Sequence, residues 1–103
     1  MTGITRQTRD QLRAAMASLR RDEALLGLMR ALDPDGNRAA FALATETETL
    51  LRKFQAVTWR RIEEGFRKPQ SEVERYLLEL SRLEAPSKRR QLYSLYADLM
   101  RGG

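Results

Sequence analysis

The run from Arg38 to Arg67 contains no proline, and its one glycine, Gly65, stands close to its end. Along it Ala40, Leu43, Ala44, Thr47, Leu50, Leu51, Phe54, Val57, Thr58 and Ile62 recur at spacings of about three and four. That period places them on one face of an α-helix. At about 1.5 Å per residue such a helix is about 45 Å long. A stripe of that length must be covered along its whole extent, and the rest of the chain has to supply the cover.

Pro34, Pro69 and Pro86 each fall between segments of helical period. Proline has no amide to donate and disfavours helical geometry in the residue before it, so each position marks a break. β-Branched residues are scarce apart from threonine, and no apolar-polar alternation marks a strand. The expected fold is therefore all-α. A first helix over about 8–32 opens at Thr8, which forms a capping box with Gln11. Leu12, Ala15, Met16 and Leu19 then share one face. The segment "ALLGLMRAL", Ala24 to Leu32, is apolar nearly all round. It needs burial on more than one side, by the fold or by another copy. Gly27 within it costs roughly 1 kcal/mol relative to alanine. It is either tolerated or required by a close approach of another helix.

"DPDGN", Asp33 to Asn37, is turn chemistry: Pro34 presets φ, Asp33 accepts backbone amides and Gly36 tolerates positive φ. The alternating carboxylates and terminal glutamate of a calcium loop are missing. The second helix, 38–67, is expected to fold back on the first as a long antiparallel hairpin. Phe41, Trp59 and Phe66 lie to one side of its stripe and need a second neighbour, either the C-terminal helices or another subunit. "RKPQ" breaks the chain again, and Ser71 with Glu74 caps a third helix over about 71–84, striped by Val73, Tyr76, Leu77, Leu80 and Leu83. After Pro86, Ser87 is the expected cap of a fourth helix over about 87–101, striped by Leu92, Leu95, Tyr96 and Leu99. The whole reads as one domain, 1–103, resembling a four-helix bundle in outline.

Composition excludes several kinds of chemistry. There is no cysteine and no histidine. Disulfides, thiolate metal sites and cysteine nucleophiles are ruled out, and the usual general base is missing. There is no Gly-rich phosphate loop and no Glu-x-x-His pair for a di-iron bundle. Glu46 and Glu48 project about 200° apart on a helix and do not act together. Arg60 with Glu64, Glu63 with Arg67 and Arg75 with Glu79 are expected surface ion pairs worth a few tenths of a kcal/mol each. No enzyme activity, metal or cofactor is expected. No run of about 18 apolar residues suggests a membrane span. The N-terminus lacks the apolar core of a signal peptide, so the protein is read as cytoplasmic.

Two functional readings remain. A chain this small buries only about two thirds of its unfolded surface, and this one carries more apolar helical face than four helices readily hide. A non-enzymatic interaction module is expected first: a small adaptor, chaperone-like protein or regulatory subunit that forms a homodimer or takes an amphipathic helix of another protein. Leu25, Leu28, Met29, Phe41, Trp59, Phe66, Tyr93 and Tyr96 are its candidate anchors. The competing reading starts from the net charge of +5. The excess is spread evenly, at +2, +2 and +1 over residues 1–33, 34–70 and 71–103. Arg52, Arg60 and Arg67 with Lys88, Arg89 and Arg90 could still track a nucleic-acid backbone. The fourth helix shows leucine, tyrosine and methionine where a base-reading helix carries polar side chains.

Overall fold

The computed structural model describes residues 6–102. Every regular element among them is helical: α1 (Arg6–Leu32), α2 (Ala40–Lys53), α3 (Trp59–Glu63), α4 (Glu72–Arg82) and α5 (Arg89–Met100). Residues Phe54–Thr58 form a π-helical turn that joins α2 to α3 without a break. The expected long second helix is therefore one continuous helix from Ala40 to Glu63, and the fold is an all-α bundle of four helices.

The cover for the long helix comes from α5. Phe41 meets Tyr93, the Thr47 hydroxyl meets the Tyr96 hydroxyl at 2.7 Å, and Glu48 reaches the start of α5. Ser87 and Lys88, just before α5, share a recess with Arg52 and Gln55, and Met100 at the end of α5 shares one with the turn before α2, so the two helices run roughly antiparallel. The first helix, expected to lie along the second as a hairpin, has α4 as its main partner. Ala17 and Ser18 share a recess with Leu83 to Pro86, and further along α1 Gly27 faces Tyr76. This pair also runs antiparallel. Leu25 and Leu28 from α1, Leu43 and Leu51 from α2, Leu77 and Leu80 from α4, and Leu92 and Tyr96 from α5 fill the shared core. Each such side chain contributes about 1.5–3 kcal/mol on burial.

Polar side chains fix the joints. Asp33 accepts the amides of Asn37 and Arg38 at 3.0 and 2.9 Å, and Gly36 adopts φ +71° in the same turn. These bonds, the Arg38 amide first, hold the Asp33 carboxyl below its ordinary range. The Arg38 guanidinium donates to the Leu32 carbonyl at the end of α1 and to Glu46 of α2. After α3, Gly65 at φ +81° closes a Schellman turn, in which the Phe66 amide donates to the Arg61 carbonyl. Ser71 caps α4 as expected, accepting the Glu74 amide at 3.1 Å. Glu74 reaches back to the Gln70 amide and also receives Arg67 at 2.7 Å.

Three local expectations are corrected. Thr8 lies inside α1, two residues past Arg6, so it does not mark the helix start. Ser87 does not cap α5; Glu48 of α2 accepts the Arg89 amide at 2.7 Å and does so from across the bundle. That carboxylate also offsets the unfavourable placement of Lys88, Arg89 and Arg90 at a positive helix end. Val57 falls off the core stripe and is exposed, whereas Trp59 packs against the core. The π turn is the cause, because one extra residue per turn advances the side chains that follow it.

Candidate functional site

The eight residues expected as interface anchors divide by burial. Leu25, Leu28 and Tyr96 have no exposed surface and belong to the core, which corrects their assignment to an interface. They look like anchors in the sequence because an all-round apolar segment reads the same whether the fold or a partner buries it. Met29 and Trp59 are partly buried against the core, and Trp59 Nε1 has no acceptor within the described residues. Phe41, Tyr93 and Phe66 are exposed. Phe41 and Tyr93 meet edge to face with centroids 6.2 Å apart, and the Arg89 guanidinium lies 5.3 Å from the Phe41 centroid. Phe66, 78 % exposed in the turn after α3, takes no part in that ring contact.

A second exposed apolar face lies elsewhere, on the first half of α1. Every residue from Arg6 to Arg20 is exposed. Leu12, Met16 and Leu19 are 50 %, 53 % and 63 % exposed, with Ala15 exposed between them. At about 100° per residue these four centre roughly 180° around the helix from Ala24, Leu25 and Leu28. The stripe therefore points away from the face by which α1 joins the bundle. It is not a frayed edge of the core. Sequence periodicity finds the stripe, and the expected hairpin covers it. The contrary phase of the buried face on the same helix is the signal that separates the two.

Arg6, Arg9, Arg13 and Arg20 flank this stripe on one side, and Arg6, Arg9, Asp10 and Arg13 line one recess. Glu23 continues the same edge towards the bundle. No ion pair engages Arg9 or Glu23 among the described residues, whereas neighbouring Arg21 binds Asp22 at 3.0 Å.

The six basic residues expected at a nucleic acid also divide. Arg52 and Lys88 line one recess with Glu48, Gln55, Ala56 and Ser87, and Arg89 and Arg90 follow at the start of α5. Arg60 and Arg67 do not join them. Arg60 binds Glu64 at 3.0 Å on the surface of α3. Arg67 spans from Thr58 to Gln70 and Glu74 and locks the α3–α4 joint. Several carboxylates are similarly committed: Glu46 to Arg38, Glu63 to Arg82 and Glu72 to Arg75. Glu63 and Arg75 thus bind partners other than the expected Arg67 and Glu79.

No helix among the described residues is long and apolar enough to cross a membrane. No family model, curated protein or solved structure matches this chain.

Proposed function

We propose that this protein is a non-enzymatic interaction module whose docking surface is the outward stripe of α1, Leu12, Ala15, Met16 and Leu19. One observation carries the reading: α1 presents two apolar faces of opposite phase, and only one is buried by the bundle. Three large apolar side chains, each at least half exposed on a regular helix, gain free energy when a partner removes them from water. The Phe41–Tyr93–Arg89 cluster supplies a second apolar and cationic anchor on the α2–α5 face. A chain without cysteine suits a reducing cytoplasm.

The test is retention of partners from the native host on immobilised full-length protein, compared with Leu12→Gln/Leu19→Gln. Glutamine keeps helix propensity close to that of leucine, so the fold should hold while the apolar contact is lost. The expected outcome is loss of bound protein with thermal stability unchanged to within about 0.5 kcal/mol. An unaltered bound set would sink the reading.

A second reading draws on the Arg52–Lys88 recess and the adjoining Arg89 and Arg90, which gather positive charge at one end of the bundle. Such a cluster favours the phosphate backbone of a nucleic acid, with affinity falling steeply as salt rises. Binding to mixed-sequence DNA or RNA at about 50 mM salt, weakened by Lys88→Ala/Arg90→Ala, supports it. Failure to bind at low salt removes it.

A further inference from the structure

We infer that the occupant of the α1 stripe is a second copy of this chain, paired antiparallel with a twofold axis passing close to Met16. The inference rests on the interaction reading above and specifies its partner.

Its ground is the self-complementarity of the stripe. Arg9, Met16 and Glu23 stand seven residues apart, so they fall along one edge of the helix, within about 40° of each other. A twofold axis at Met16 places Arg9 of each copy opposite Glu23 of the other and Met16 opposite itself. Both charged groups are exposed and have no ion pair within the described residues. Parallel pairing instead sets Arg9 against Arg9 and Glu23 against Glu23, two repulsive contacts.

The apolar positions agree. Leu12, Ala15 and Leu19 follow the three- and four-residue spacing of a two-helix seam. In the antiparallel register, Leu12 of one copy lies within about 1.5 Å, measured along the helices, of Leu19 of the other. Charge is also uneven along α1: Arg6, Arg9 and Arg13 with Asp10 give its start a surplus of positive charge, and Arg20, Arg21, Asp22 and Glu23 balance one another towards its middle. Antiparallel pairing keeps the two positive starts apart.

Space permits the arrangement. The last turn of α4 and the following loop meet α1 at Ala17, Ser18 and Arg21 on the face opposite the stripe. Residues 6–16 extend beyond that contact by about 16 Å, leaving the stripe open to a second helix. The pairing is isologous and closes on itself, so it yields a dimer and no fibre. A contact of this length falls at the low end of specific interfaces, below about 1,200 Å² in total, which suits a dissociation constant in the micromolar range.

The experiment is sedimentation velocity on the full chain from about 1 to 500 µM, with charge-swap variants. Wild type is expected to pass from monomer to dimer across that range. Arg9→Glu and Glu23→Arg should each weaken the dimer about fivefold or more, and the combined swap should restore it to within about twofold. Orientation is read by cross-linking, since the chain has no cysteine of its own. Met16→Cys should be joined by a short bis-maleimide linker, and Arg9→Cys should not. Equal linkage at both positions overturns the antiparallel register. A dimer insensitive to Leu12→Gln/Leu19→Gln overturns both this inference and the interaction surface it rests on. A chain monomeric at 500 µM overturns the second copy as occupant; if that monomer still retains a host protein through Leu12 and Leu19, the broader interaction reading survives.

Discussion

The Tyr96 hydroxyl meets Thr47 Oγ1 at 2.7 Å inside the core and has no exposed surface. Burial pushes its pKa up to about 12, opposed by the Thr47 hydrogen bond. A tyrosine in the unfolded chain ionises near 10. Below pH 10 the group is neutral in both states and its full contribution is present. Between about pH 10 and 12 the unfolded chain loses the proton while the folded one keeps it, so stability falls as pH rises, by about 2–3 kcal/mol in total. Alkaline denaturation followed by circular dichroism should show that fall. Tyr96→Phe should cost about 1 kcal/mol at pH 7 through the lost hydrogen bond and flatten the alkaline slope. Tyr96 is legible in the sequence as an apolar position of the fourth helix, but its partner Thr47 lies 49 residues away and carries no mark of the pairing. Glu84 shows the same limit. It sits at φ +54° after α4, in a position glycine usually takes. Nothing local announces it.

At the scale of the helices, caps and breaks read well where they are local. Ser71 with Glu74 and Asp33 in its turn act as their sequence context predicts, whereas the second helix, expected to reach Arg67, ends at Glu63 with Gly65 at positive φ beyond it. The capping of α5 by Glu48 and the π turn do not read locally, because each depends on a neighbour across the bundle. In the π turn, Gln55 donates to the buried Ser81 hydroxyl at 3.1 Å. Gly27 joins the two kinds. Its cost to α1 is legible, and its reason is the ring of Tyr76: a Cβ at residue 27 would lie 2.3 Å from Tyr76 Cζ. Gly27→Ala sets alanine's gain of about 1 kcal/mol in helix propensity against displacement of the partly buried Tyr76 ring, so in urea denaturation the gain should fall clearly short of about 1 kcal/mol. In a Tyr76→Ala background the obstruction is gone, and the same substitution should stabilise by about 1 kcal/mol. An equal gain in both backgrounds would rule out Tyr76 as the cause.

For the molecule as a whole, α1 sets the shape. The radius of gyration is 15.4 Å and the extents are 50 × 39 × 21 Å, against a radius of about 13 Å for a compact chain of 100 residues. A helical overhang of residues 6–16 is shorter than the about 12–15 residues at which isolated helices become marginal in water. In dilute monomer, the amides of Asp10 to Met16 should exchange with solvent fast, while those around Leu25 and Leu28 open only with the global fold. Raising the concentration through the dimer transition should protect the first group, and Leu12→Gln/Leu19→Gln should abolish that gain. Protection of Asp10 to Met16 that is high and independent of concentration would mean the overhang is stable without a partner.

By itself, the sequence determined the helical class, the number and order of helices and most of their ends. Periodicity, proline and capping residues act through hydrogen bonds and steric clashes within a few residues, so they are written locally. Tertiary structure decided which helices pair, and hence which apolar residues are core and which are surface. Leu12 and Leu25 are both leucines on α1, yet one is half exposed and the other sealed. The difference arises because α4 approaches only one side and one end of that helix, and the total burial of distant segments selects that approach.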